Sequence, residues 1–316
     1  MADPSSVYSQ LAASTIAAWA QKLAQDNIFH RIAVFAWLKS LQKAASPGRE
    51  CVEPVLYGEN ATADAYTKGA TVPMAAQDVV TAANFGIKKY MAAMLVNEED
   101  AEDNAGRAQM VDLVGAMILS TEESIAGNMS ADLWGTGLGA GAELAGLQVI
   151  VDTTSDIGNI DVSANAWWQA HQCVVAEAIN TRRMASIKNQ CSQGKTGNQP
   201  GEWLVVMTAA LWEAFEDLIL PHQHIDGKIM GALGFDSIRW KGTEVVWDED
   251  CPSGQIFILN RNALRLRPQA NYVKKYKHQA VVLANATATN HIVSWRGSLT
   301  TNERRKLGKL TNVTVP

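Results

Sequence analysis

Apolar positions recur at helical spacing near the start of the chain. Leu11, Thr15, Ala18, Trp19 and Leu23 form one stripe, and Ile28, Ile32, Phe35, Leu38 and Leu41 a second, so residues 5–44 read as two helices ended by SPGRE at 46–50. CVEPVLYG (51–58) is rich in β formers and reads as a strand, and Pro54 within it requires a free edge or an irregularity. Residues 58–73 hold Gly, Ala, Thr, Asn and Asp with almost nothing to bury, while 84–96 return to strand composition. Together they predict a long two-stranded arm with a polar tip, which must lie on another surface because an isolated hairpin is marginal in water. Asn97, followed by three acids, is a helix start with charges that complement the dipole. Met110, Leu113, Val114, Met117, Ile118, Thr121 and Ile125 then recur at three- and four-residue steps toward Ala126. That spacing predicts a helix of about thirty residues, roughly 45 Å long.

The glycine-rich run at 134–147 follows a helix, where a dinucleotide fingerprint must follow a strand, and reads as a flexible connector. LQVIV (147–151) has strand composition. Ser163 stands as the cap of a helix with Trp167, His171, Val174, Val175, Ala178 and Ala185 on one face. WLVVMT, from Trp203, reads as a buried strand, and AALWEAFEDLIL as an amphipathic helix stopped by Pro221. From Gly231 onward the pattern is β-rich, with strands in IRWKGTEVVW, QIFILN, HQAVVLAN and NHIVSWRGSL and a turn at 248–254. The predicted class is α+β, with no repeat of the solenoid kind.

Composition narrows the classes. Of 316 residues, 47% are hydrophobic and 19% charged, so the chain can bury a large core and is short of surface charge. Ten tryptophans suit both cores and interfaces. The net charge of −5 is unevenly shared, since residues from Arg261 onward carry eleven Lys/Arg against one acid, Glu303. The basic segment permits contact with phosphate or with an acidic neighbouring subunit. Cys51, Cys173, Cys191 and Cys251 are far apart with no CxxC grouping, which predicts free thiols. No stretch is long and apolar enough to predict a membrane span, and no export signal is recognised.

Candidate chemistry is sparse. GKTG at 194–197 lacks the first glycine of a phosphate loop, Asn189 standing there. His222, His224 and Asp226 alternate in HQHID, with no further ligand grouping to complete a metal site. Glu98/Glu99 and Glu122/Glu123 lie on the long helix and make poor catalytic pairs. Lys88, Lys89, Lys274, Lys275 and Lys277 with Tyr272 and Tyr276 form a basic, aromatic-containing group outside any nucleic-acid motif. Neither a catalytic residue nor a cofactor is expected.

The order of helical arm, extended hairpin, long helix and mixed body resembles the major capsid proteins of tailed bacteriophages, the Hong Kong 97 type. More specific segments are PVLYGENATADAYTKGATVP (54–73), NEEDAEDNAG (97–106), AGLQVIVDTTSDIGNIDVSANAWW (145–168) and VVWDEDCPSGQIFILNRNALRL (245–266). The resemblance implies a shell subunit with a helical arm (1–50), an extended loop (51–96) and a peripheral domain with the spine helix (97–202). A mainly axial domain (203–279) and a return to the peripheral domain (280–316) follow. It implies self-assembly into hexamers and pentamers of an icosahedral virion head built in the bacterial cytoplasm. The partners implied are a scaffolding protein, a portal protein, a decoration protein and packaged double-stranded DNA held by non-specific charge. Tyr57, Tyr66 and Lys68 are then the intersubunit candidates of the loop, and Arg304, Arg305 and Lys306 the DNA-facing ones. Some members crosslink a loop lysine to an asparagine of another subunit; Lys68 is the tip's one lysine, and with no matching asparagine identified it is read as an ordinary solvated lysine. The alternatives are an encapsulin-like compartment and, from a different class, a metal- or nucleotide-dependent enzyme.

Overall fold

The computed structural model describes residues 32–45, 48–71, 74–97, 99, 113–138, 141–193, 202–219, 238–273, 275–282 and 288–316. GKTG, the HQHID residues His222, His224 and Asp226, Glu98, Lys274 and the first predicted helix lie outside them. Two sheets share one interior. The four-stranded sheet is built on β11 (Ala288–Thr301), which pairs antiparallel with β3 (Lys88–Asn97), β10 (Lys277–Val282) and, further along, β9 (Leu264–Pro268). The six-stranded sheet has the order β4 (His171–Val174), β12 (Gly308–Thr311), β8 (Ile256–Asn260), β5 (Trp203–Met207), β7 (Thr243–Trp247) and β6 (Ile238–Trp240).

Continuous apolar runs such as WLVVM and IFILN exist because both faces of the six-stranded sheet are buried. Leu204, Val206, Val246, Phe257 and Leu259 face the main core. Val205, Met207, Val245, Ile256 and Ile258 face a second core. There they meet α4 (Thr181–Cys191), through Met184 and Ile187, and α5 (Ala209–Ile219), through Leu211 and Phe215.

The long helix, α2 (Leu113–Leu133), lies along β3 and buries Ile125, Ala126, Met129 and Leu133. It runs past the expected end near Ala126, and Trp134 continues its last turn by donating to Ser130 O. Trp134 meets Phe257 edge-on at 5.0 Å, joining helix and sheet. The N-terminal helix α1 (Ala33–Ser40) buries Ala33, Val34, Phe35, Trp37 and Leu38 in the same core. No helix among the described residues is long and apolar enough to cross a membrane.

Several expectations change here. Residues 147–151 form a short helix, α3 (Leu147–Ile150), not a strand. The glycine-rich run before it is a tight crossing: a Cβ on Gly146 would come to 1.9 Å of Gly135 O, so two backbones meet where no side chain fits. The helix expected after Ser163 is replaced by a 3-10 turn at Ala166–Trp168 and β4, and helix α4 starts later, capped by Asn180 accepting from Arg182 N–H at 2.8 Å. The second arm strand is divided at Ile87, β2 (Val80–Gly86) pairing with β1 (Glu50–Leu56) while β3 turns to β11. The sheets also cut across the expected boundaries at 202/203 and 279/280. β4 and β12 belong with β5–β8, whereas β9 and all of β10 pair with β11.

Candidate functional site

The hairpin β1–β2 leaves the body as an alternating strand: Cys51, Glu53 and Val55 point inward, and Glu50, Val52, Pro54 and Leu56 point out. Pro54 lies in a strand whose one ladder partner is β2, so a free edge is there to tolerate its missing N–H. Inward-facing Glu53 is 4% exposed, and its carboxylate takes Arg267 Nε at 2.8 Å and Thr300 Oγ1 at 3.0 Å, with Arg265 Nη1 at 3.7 Å. Two guanidiniums and a hydroxyl make burial of this carboxylate tolerable. Burial, with the Glu53 charge adding to it, pushes the neighbouring Cys51 thiol up, and all four cysteines are free.

A second pin lies on β2. Asn84 N–H donates to Gly158 O at 3.0 Å, and Gly158 holds φ +71° where a Cβ would stand 2.9 Å from Ala83 Cβ. At the outer end of the ladder Tyr57 stacks on Trp167, ring centroids 5.2 Å apart. The hairpin root is therefore fixed by charge, by backbone and by an aromatic stack.

Beyond Val79, whose carbonyl accepts from Tyr57 and Gly58 N–H, the tip makes its own turns. Asn60 Oδ1 accepts from Thr62 N–H at 3.0 Å, and Tyr66 O–H donates to Thr62 O at 2.6 Å. Lys68 is exposed in the next turn. Tyr57, Tyr66 and Lys68 thus share one projecting element, though Tyr57 is already partnered at its base. Outside it stand Leu56 at 74%, Val52 at 59% and Val80 at 57% exposure, an apolar outer face that sequence reasoning did not single out.

The hairpin root covers one end of the face of β11 that looks away from α2. Further along this face Lys89 and Arg296 sit directly opposite each other, both exposed. Like charges in that register repel, so the pair favours an anion above it. Next come exposed Met91 and Leu95 on β3 and Val281 on β10. Tyr272 and Tyr276, grouped by sequence with the lysines, are buried and offer no stacking platform. Lys39 Nζ stands 4.9 Å from the Tyr276 ring, and Lys88 Nζ is bound by Gly141 O.

The expected DNA-facing triplet does not form a surface. Arg304 is 1% exposed, and its guanidinium donates to the carbonyls of Val149, Ile150, Asp152 and Ser155 at 2.9–3.1 Å. Burial draws its pKa down to about 10, opposed by Asp152 and Asp156, so it remains a cation at neutral pH. Lys306 is buried with Nζ 3.1 Å from Glu303; only Arg305 is exposed, and it too pairs with Glu303 at 3.1 Å. A run of three basic residues in a 3-10 turn points its side chains in different directions; of the two inner ones, Arg304 donates to the chain's own backbone and Lys306 to the Glu303 carboxylate. Glu122 lies 2.9 Å from His278 Nε2. Among the described residues no group of three or more His, Cys, Asp or Glu could hold a metal ion.

No family model and no curated protein matches the sequence. Solved structures do. The chain superposes on the capsid of Cyanophage A-1(L) with a TM-score of 0.73 at 16% identity, over 92% of this chain and 96% of that one. The chain has the capsid-shell fold. This is the Hong Kong 97 type of architecture that the sequence resemblance implied. The capsid of a native GTA particle matches with a TM-score of 0.63 at 12% identity, over 93% of this chain and 94% of that one. The SrpI encapsulin of Synechococcus elongatus PCC 7942 matches with a TM-score of 0.63 at 14% identity, over 96% and 95%.

Proposed function

We propose that this chain is the major capsid protein of a tailed double-stranded DNA bacteriophage, assembling with copies of itself into the icosahedral head in the bacterial cytoplasm. The observation that carries the reading is the superposition on a phage capsid chain along nearly the full length of both. The role is structural, and assembly is the sum of many moderate contacts between copies. The four-stranded sheet and α2 act as the peripheral domain and the six-stranded sheet as the axial one.

In this reading the hairpin of one copy lies on the open face of the four-stranded sheet of the next. Its apolar outer face meets Met91 and Leu95, and Glu59, Asp64 and Asp78 of its acidic tip approach Lys89 and Arg296. Tyr66 and Lys68 stand at that contact. Scaffolding, portal and decoration proteins are the expected partners, and DNA contact is by charge alone.

Negative-stain microscopy of the protein, co-expressed with its neighbouring genes, tests the proposal. Closed shells, or rings of five and six, are expected; a uniform monomer or dimer would overturn it. Shells that hold a co-purifying protein and no nucleic acid, without portal or tail proteins, would move the reading to an encapsulin-like compartment.

A further inference from the structure

Helix α1 has no cap of its own. Ile32 stands at its N-cap and makes no side-chain hydrogen bond there. The acceptor comes from 214 residues away, where Asp248 Oδ2 takes the Val34 N–H at 3.0 Å. The other oxygen takes Trp134 Nε1–H at the end of α2 at 3.0 Å and Asp250 N–H at 3.2 Å. Asp248 N–H itself donates to Met207 O, at the end of β5, at 3.1 Å. One wholly buried carboxylate thus joins the N-terminal helix, the spine helix and the six-stranded sheet.

We propose that Asp248 is a proton-dependent clasp that couples the docking of α1 to the junction between the spine helix and the six-stranded sheet. Capping a helix with a carboxylate from a distant segment makes docking depend on the state of that carboxylate. Among the described residues, the titratable groups beside it are acids: Asp250 on the same turn, which accepts Ser130 Oγ–H at 2.6 Å, and the buried Cys251 thiol. Glu249 faces solvent. Asp132, in the last turn of α2, is taken by Tyr90 O–H, and the one basic residue in the last turn of α1, Lys39, lies over Tyr276.

Burial raises the Asp248 carboxyl to about 6, Asp250 adding to this and the donated N–H groups opposing it. When α1 undocks and water reaches the carboxyl, its pKa returns toward the ordinary 3.8. The docked state therefore binds the proton more tightly, and acid favours docking. The undocked population rises with pH through the interval from about 4 to 6 and levels off above it, roughly twentyfold between pH 4.5 and 7.

Hydrogen–deuterium exchange of the full chain over this pH range, corrected for intrinsic exchange rates, reads the opening of residues 33–40 directly. The expected result is that rise in the wild type, a flat profile in Asp248→Asn, and a retained but shallower rise in Asp250→Asn, which loses the charge that adds to the Asp248 shift. A slope retained in Asp248→Asn overturns the proposal. If Asp248→Asn does not fold, the wild type alone decides through its internal reference, β5. A rise confined to residues 33–40 supports the clasp, and an equal rise across Trp203–Met207 assigns the effect to global stability and overturns it.

Discussion

Arg304 offers the sharpest test of whether the basic C-terminal turn serves the chain's own fold or an external polyanion. Arg304→Met keeps much of the apolar stem and removes the guanidinium, whose Cζ stands 5.9 Å from the Trp168 ring centroid and which binds four carbonyls of residues 149–155. A hydrogen bond to a charged group contributes roughly 1.5–3 kcal/mol, and four made by one group do not add fully. The carbonyls left behind are in buried surroundings, so a net loss of about 3–5 kcal/mol is expected, as for breaking other buried charged clusters. The exposed neighbour gives the control: Arg305→Met should change stability by less than about 0.5 kcal/mol. Urea unfolding of both variants, followed by tryptophan fluorescence, reads the difference as a shift of midpoint at constant slope. Arg304→Lys should fall between, because an ammonium has three donors and no planar fork. The reasoning is refuted if Arg304→Met unfolds at the wild-type urea concentration, and more so if that variant folds normally yet loses DNA-filled particles.

Gly158→Ala should cost about 1–3 kcal/mol, since the residue holds φ +71° against Ala83, and thermal unfolding checks it. Leu56→Asp together with Val80→Asp should leave the circular dichroism and melting of the subunit intact while abolishing particles in negative stain, because both side chains are more than half exposed in the monomer. Deleting residues 58–73 should likewise give a folded subunit that does not form shells; a wild-type particle yield would remove the hairpin from assembly. The ionised Asp248 destabilises the native state, so the group's contribution to stability is present below about pH 4 and is lost as pH rises to about 6. Urea midpoints of wild type minus Asp248→Asn across that window should show this sign.

Much of the fold was legible in local pattern. A β-forming run with Pro54 in it marked a strand exposed on one side, and the continuous run WLVVM marked a buried one. The fragment LQVIV was misread because five residues are too few to carry a period, and the helix starts from Gly146 at its close crossing with Gly135. Helix periodicity across 163–185 misled because β4 is paid for by parallel pairing with β12, more than 130 residues later, which no local window contains. The site divides the same way. The projecting loop and its polar tip followed from composition, whereas its seat depended on Arg265, Arg267, Thr300 and Gly158 meeting Glu53 and β2 across the chain. A single acid at an inward position of an alternating strand was the one local sign of that seat. Charge counting failed at Arg304 and Lys306 because formal charge says nothing about which side chains turn inward.

The placement of β12 has a consequence for the order of events during synthesis. Gly308–Thr311 sits between β4 and β8, second in a sheet of six, and is made after the other five strands of that sheet. Until it emerges, β4 has no neighbour in the sheet and β8 has an open edge toward it. A nascent chain that has not yet extruded β12 therefore lacks a closed six-stranded sheet, while its hairpin and spine helix have already left the exit tunnel. Closing the sheet last makes the finished, partner-competent shape depend on a strand made after the other five, which separates folding of the hairpin and spine helix from completion of the body.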